Sequence, residues 1–324
     1  MPAGSPPAGP PLLAVVGPTA SGKTSWALGL AARFDGEVIG ADSRQVYRGL
    51  DIGTGKPAAA DRTAVRHHCV DHVDPRERYH LARFLREARA ALAGVRARGR
   101  RPILAGGTGQ YVWALLEGWD VPEVAPDPAR RAELAARAHR DGAAALHAEL
   151  RRVDPAAADA ILPTNVRRVV RALEVERRTG RPISDWWAAR DPIDAVIVAP
   201  EVDPAELDAR IDRRVEAMFE AGLVAETAAL LRDGLPPDAP GLGSIGYREV
   251  VAHLAGECDR AAAVAATQQA TRRLARRQRA WFRAGDARIH WAPTAAAALE
   301  AAATVTRPSQ AAGPQAAGLP TIGA

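Results

Sequence analysis

The sequence predicts an α/β fold, a P-loop-type parallel sheet wrapped by helices, with an inserted all-helical subdomain. Three observations predict it. Short apolar runs alternate with amphipathic helical stretches over most of the chain, the pattern of a parallel sheet covered by helices. A glycine-rich phosphate-loop motif falls between the first apolar run and the first helical stretch. From about Trp119 to Asp194 the apolar runs stop, and helical segments are punctuated by Pro122, Pro126, Pro128, Pro155, Pro163 and Pro182.

Each element follows in order. Strands are expected at Leu12 to Val16, Glu37 to Gly40, Pro102 to Ala105 and Ala195 to Ala199, with a short edge strand at Arg288 to Trp291. A helix should run from about Lys23 to Arg33, and a long last one from about Arg260 to Ala284. Residues 1–11 and 305–324, rich in Pro, Ala and Gly, are expected to be disordered tails. That leaves 12–118 and 195–304 as the catalytic core and 119–194 as the insertion.

With 324 residues, 47% of them apolar, the chain can fill a sizeable core. No apolar run approaches the roughly 20 residues that a membrane span needs, and the N-terminus resembles no secretory leader, so a cytoplasmic protein without membrane contact is expected. Cys69 and Cys258 lack the spacing of a disulfide framework or a zinc site. The net charge of +5 and pI near 9.7 suit an acidic partner such as nucleic acid. Of 43 basic residues only Lys23 and Lys56 are lysines, and each lies in a glycine-rich turn. Two lysines in so arginine-biased a chain point to places where a compact ammonium is wanted, so Lys56, like Lys23, is expected to meet a substrate phosphate.

The segment Gly17-Pro18-Thr19-Ala20-Ser21-Gly22-Lys23-Thr24 fits G-x-x-x-x-G-K-[ST] in the strand-to-helix context that the motif requires. Its backbone N–H groups offer partial positive charge to a di- or triphosphate, Lys23 neutralises the terminal phosphates, and the Thr24 hydroxyl is a ligand for Mg²⁺. Such a loop reports a phosphate and not a reaction, since nucleotide-binding enzymes using ATP share it.

Past the second strand the chain reads Asp42-Ser43-Arg44-Gln45-Val46-Tyr47-Arg48, continuing to Gly53-Thr54-Gly55-Lys56-Pro57. Asp42 falls at the carboxyl end of a parallel strand, where α/β proteins place their ligands. It can hold Mg²⁺ through water, accept a proton from a nucleophile, or simply cap a helix. The turn Gly106-Gly107-Thr108-Gly109-Gln110-Tyr111 follows another strand and should converge on the same edge, its glycines allowing close approach and Thr108 supplying a hydroxyl.

Together GPTASGKT, DSRQVYRGLDIGTGKP and GGTGQY, in this order, resemble the bacterial tRNA dimethylallyltransferase family. Further support comes from HHCVDHVDP, NVRRVVRALEV, ARIDRRVEAMFEAGLVAE, GSIGYRE and RRQRAWFR. The resemblance spans about Leu12 to Trp291. It departs at Gly55, where the family commonly carries alanine, and at Gln110, where it carries leucine.

What the resemblance implies is a prenyl transfer from dimethylallyl diphosphate to N6 of the adenosine immediately 3′ of the anticodon in tRNA, with release of pyrophosphate. The cradle would hold the diphosphate, with Mg²⁺. Asp42 would be the base, Thr108 would orient the amine, Gln45 would read the adenine edge, and Arg210 or Arg214 would neutralise the leaving group. Ser43, Arg44 and Arg248 would also meet the tRNA, while Arg130, Arg167, Arg168 and Arg171 of the insertion would clamp the phosphates of the anticodon stem. The resemblance also implies a monomer.

The last helix interleaves Arg272, Arg273, Arg276, Arg277, Arg279 and Arg283 with Trp281 and Phe282. Adjacent aromatics cannot share one face, although core packing is the default for both. His67, His68 and His72 are read as structural. Three other readings compete: a small-molecule kinase using ATP, a prenyltransferase acting on free adenine nucleotides, and a non-catalytic RNA-binding protein switched by nucleotide. The first leaves DSRQVYR unexplained, the second leaves the long insertion unexplained, and the third predicts no consumption of an allylic diphosphate.

Overall fold

A computed structural model describes residues 11–187 and 191–305; the expected tails, apart from Pro11 and Val305 at their edges, lie outside the described residues. In chain order the elements are β1 (Leu12–Val16), α1 (Lys23–Phe34), β2 (Gly36–Gly40), α2 (Ala59–Ala64), β3 (His67–His68), α3 (Leu81–Ala97), β4 (Arg101–Gly106) and α4 (Gly109–Leu116). The insertion follows as α5 (Pro128–Arg140), α6 (Ala143–Val153), α7 (Pro155–Ala160) and α8 (Val166–Thr179), with a 3₁₀ turn at Ile183–Trp186. The chain then returns through β5 (Ala195–Pro200), α9 (Pro204–Glu220), α10 (Leu223–Arg232), α11 (Tyr247–Leu254), α12 (Arg260–Trp281), β6 (Ile289–Ala292) and α13 (Ala295–Val305).

The six strands form one parallel sheet in the order β3-β2-β4-β1-β5-β6. β1 is central because Leu-Leu-Ala-Val-Val is apolar on both faces, and all five of its residues are buried. Successive side chains of a strand point to opposite faces. Leu12, Ala14 and Val16 accordingly join Phe84, Val112 and Leu115 on one face, while Leu13 and Val15 join Leu30, Val38 and Val198 on the other. A third apolar cluster packs α9, α10, α11 and α12 around Tyr47, Leu50 and Tyr247. Leu134, Leu146, Leu150, Val169 and Leu173 give the inserted helices a cluster of their own.

Two elements differ from expectation. β3 pairs through only Val38 with His67 and Ile39 with His68. The helix ending at Trp281 is not the last, because α13 follows and packs Ala298 and Ala302 onto the face that carries α1. The adjacent aromatics part company: Phe282 is buried at 2% exposure, whereas Trp281 is exposed. The histidines have protein partners, His68 at Glu37, His67 at the Val65 carbonyl and His72 at Glu87.

The topology decides where the site falls. From β1 the chain runs outward to β2 and β3, returns to β4, and crosses β1 to reach β5. The carboxyl ends of β1, β2 and β4 therefore meet at the switch point of the sheet, where open α/β folds bind ligands.

Candidate active site

Three turns leave those strand ends and line one cleft of about 360 Å³. After β1, Gly22 takes a left-handed backbone (φ 94°) at the N-cap of α1 and offers no side-chain cap. Its lack of a Cβ permits that turn, and the missing cap leaves first-turn N–H groups for an anion. Ala20 also has a positive φ of 62°, a local strain of the sort that binding loops carry. Lys23 and Thr24 line the cleft, and the Lys23 ammonium donates to the Pro18 carbonyl at 2.6 Å. Burial pushes the Lys23 pKa down from 10.5 to about 8, with the Asp42 carboxylate opposing the shift and the Arg214 guanidinium adding to it. The Ser21 hydroxyl is buried within the loop with no hydrogen-bond partner.

After β2, Asp42 lines the same cleft. Its Oδ1 accepts from the backbone N–H groups of Arg44 at 2.8 Å and Gln45 at 3.3 Å, so it caps a turn and not the helix weighed from the sequence, since no helix begins there. Neither bond uses Oδ2, so the carboxylate is oriented by one oxygen alone. After β4, Thr108 Oγ1 accepts from the Ser43 N–H at 3.2 Å and the Thr108 N–H donates to the Ala41 carbonyl. Gly106 permits this closeness, since a Cβ there would stand 2.1 Å from the Ala41 oxygen. Gln45 Nε2 donates to the carbonyls of Thr54 and Gly55 at 3.3 and 3.0 Å.

The two arginines left open by the sequence separate in space. Ile211, Arg214, Val215 and Met218 of α9 line the cleft, a helical stripe of one face. Arg210 lies outside that stripe and is tied to Glu206, one turn back on the same helix. Burial lowers the pKa of Arg214 while Asp42 raises it, so the two charges feel each other across the cleft.

Of the remaining residues, Ser43, Arg44 and Arg248 stand on the cleft wall. Arg130, Arg167, Arg168 and Arg171 do not; they lie on α5 and α8 of the insertion. Arg130 is paired with Glu133 and Arg171 with Glu174, whereas Arg167 and Arg168 are exposed. Lys56 corrects the expectation drawn from lysine scarcity. Its side chain is only 1% exposed and lies off the cleft wall, and its ammonium bonds Asp51 and Asp71 at 2.6 Å each.

Sequence reasoning missed Gln278. From α12 its Oε1 accepts the Thr19 N–H at 2.8 Å, joining the arginine-bearing helix to the phosphate loop. Gly107 leaves room for it, since a Cβ there would meet Gln278 Nε2 at 2.4 Å. The available signal was a lone glutamine among the arginines of RRQRAWFR.

No helix among the described residues is long and apolar enough to cross a membrane, and no cluster of three or more His, Cys, Asp or Glu side chains could hold a metal there. A metal in this cleft would depend on hard oxygen donors, the Thr24 hydroxyl and a bound diphosphate. That set suits Mg²⁺, which seldom takes an all-protein cage.

Fold and cleft together define a class: a parallel α/β protein whose glycine-rich loop, lysine and arginine line one cleft with a carboxylate at the carboxyl edge of the sheet. The comparisons with known proteins narrow it. The IPP transferase family profile matches residues 45–285 and the isopentenyl transferase profile matches residues 10–73. The chain is 50% identical over 274 residues to the tRNA dimethylallyltransferase of Roseiflexus sp. (strain RS-1), covering 84% of this chain and 90% of that protein. It is 51% identical over 279 residues to that of Anaeromyxobacter dehalogenans, covering 84% and 90%.

Among solved structures, the tRNA isopentenylpyrophosphate transferase of Bacillus halodurans is similar with a TM-score of 0.64 and 37% identity, covering 91% of this chain and 98% of that one. A eukaryotic dimethylallyltransferase acting on tRNA gives a TM-score of 0.73 at 27% identity, covering 86% and 73%. The chain belongs to the IPP transferase family, whose members named here are tRNA dimethylallyltransferases.

Proposed function

We propose that this protein transfers a dimethylallyl group from dimethylallyl diphosphate to N6 of the adenosine 3′-adjacent to the anticodon of tRNA, releasing pyrophosphate. The observation that carries the reading is the cleft that Asp42, Thr108 and Gln45 share with the phosphate loop and Arg214. The allylic carbon forms its bond to N6 as its bond to the diphosphate oxygen breaks. The exocyclic amine is a poor nucleophile because its lone pair is delocalised, so Asp42 Oδ2 takes its proton as the bond forms. Thr108 and Gln45 hold the base in place.

Loop N–H groups, Lys23 and Arg214 offset the charge that grows on the departing pyrophosphate. Mg²⁺, held by the Thr24 hydroxyl and diphosphate oxygens, would add Lewis-acid stabilisation of the same charge. An unstacked base in a single-stranded loop reaches such a cleft at low cost, and the exposed Arg167 and Arg168 suit the phosphates of the stem beneath it. We place the protein in the cytoplasm, as a monomer. A kinase reading would keep ATP in the loop but gives no work to Asp42, Thr108 and Gln45 as a base-binding set.

Incubating the protein and Mg²⁺ with dimethylallyl diphosphate and undermodified tRNA, then weighing the digested nucleosides, tests the reading. A dimethylallyl adduct on adenosine is expected. RNA binding without an adduct would point to the non-catalytic reading, and modification of free adenine nucleotides alone to the small-molecule prenyltransferase.

Lys23 adds a pH signature. With its pKa lowered to about 8, the free enzyme carries the ammonium below that pH and loses it above. Accordingly kcat/KM for the allylic diphosphate should fall as pH rises through about 8, while kcat falls less because bound diphosphate restores the proton. A profile level to pH 9.5 would contradict this assignment.

A further inference from the structure

The turn of residues 51–55 borders the cleft through Gly53 and Thr54, and its N–H groups are collected by side chains far away in sequence. From α10, Glu226 accepts from the Asp51 N–H at 3.3 Å and from the Ile52 N–H at 3.2 Å. From α11, the Tyr247 hydroxyl accepts from the Gly53 N–H at 3.0 Å and donates to the Glu226 carboxylate. Tyr247 is fully buried, and Gly53 packs so tightly on its ring that a Cβ would stand 2.5 Å from Cε2. The other edge of the turn faces Gln45, whose Nε2 donates to the carbonyls of Thr54 and Gly55. Carbonyls only accept, so these two bonds fix which way the amide points. No hydrogen bond among the described residues uses Gln45 Oε1, which leaves an acceptor on the cleft wall.

We propose that Glu226 is a positioning residue for base recognition: it holds the turn whose carbonyls aim the Gln45 amide, so that Oε1 accepts from the exocyclic amine of the target adenine. This rests on the function proposed above. Glu226 is not on the cleft wall, and it acts through the turn. The position asks for a carboxylate. Both oxygens accept, from two N–H groups and a hydroxyl, whereas a glutamine there would turn its own N–H donors toward other donors. Lys56 braces the same turn through Asp51, whose N–H goes to Glu226. An amide oxygen suits an amine and opposes the carbonyl oxygen of hypoxanthine or guanine, so the arrangement favours adenine.

Binding of anticodon stem-loop RNA reads this role without turnover. The RNA carries at its target position either adenosine or purine riboside, which lacks the exocyclic amine, and the wild-type protein should prefer adenosine. Glu226→Gln should narrow that preference by roughly 3- to 10-fold, the worth of one neutral hydrogen bond, and Gln45→Leu should do the same. The double variant should lie within about twofold of Gln45→Leu, and pyrophosphate affinity should stay within about twofold throughout. A Glu226 that only stabilised the fold would weaken both RNAs alike, and its loss would add to that of Gln45. Should Glu226→Gln fail to fold, Tyr247→Phe removes the hydroxyl that joins Gly53 to Glu226 and is read in the same assay.

The proposal is overturned by a wild-type protein without the preference, by a preference undiminished in Glu226→Gln, or by a loss that persists in full on Gln45→Leu. A protein whose preference depends on Glu226 but which attaches no dimethylallyl group would defeat the functional reading and leave the role of Glu226 standing.

Discussion

Replacing Asp42 with Asn should depress kcat by roughly 10²- to 10⁴-fold while leaving the Kd for tRNA within about twofold. The pairing of large and small effects follows from the two oxygens of the side chain. Oδ1 receives the Arg44 and Gln45 N–H groups, and the amide oxygen of asparagine can receive them equally well. Only the ability to take a proton is lost. Asp42→Ala removes the cap as well, so the turn carrying Gln45 loosens and tRNA affinity should drop alongside turnover. Single-turnover kinetics with saturating allylic diphosphate, together with filter binding of tRNA, distinguish the variants. If Asn and Ala weaken binding equally and slow the chemistry no further, Asp42 is a structural cap and the base lies elsewhere.

Lys23→Met should cost about 10²- to 10³-fold in kcat/KM for the allylic diphosphate, the range for removing one preorganised charge from a developing anion. Methionine keeps most of the length and removes the ammonium. Lys23→Arg should restore little of the loss. The ammonium sits within 2.6 Å of the Pro18 carbonyl, in a turn shaped for a compact cation and not for a planar fork. Steady-state kinetics at pH 7 test both, and full activity in the arginine variant would show that charge alone suffices.

Much of this was legible in the sequence, for identifiable reasons. β1, β2, β4 and β5 are runs of apolar residues bounded by turn signals, and the turns that follow three of them carry residues whose chemistry is local to the motif. That Lys23, Asp42 and Thr108 share one cleft is therefore legible from the motifs. β3 left no trace because it is two histidines paired with one neighbour, and α13 because a run of alanines has no polar face to mark a helix boundary.

The choice between Arg210 and Arg214 depended on which stripe of α9 faces the cleft, and that is set by packing against α12 and the turn at Gly55. Gln278 meets Thr19 across a separation of 259 residues, so no local pattern pointed to it. Lysine scarcity drew attention to both lysines, but only the fold shows that one lines the cleft and the other joins two aspartates away from it.

The inserted helices leave the sheet after α4 and rejoin it at β5, beside β1. The Ile193 N–H donates to the Leu116 carbonyl at 2.8 Å, and the Leu12 N–H to that of Asp194 at 3.1 Å. To the sheet, then, this whole excursion is a single closed loop whose two feet stand side by side. Closing a loop costs only about 0.6 kcal/mol more for each doubling of its length. Helices could therefore be added to or trimmed from this outpost without disturbing the strands whose ends line the cleft.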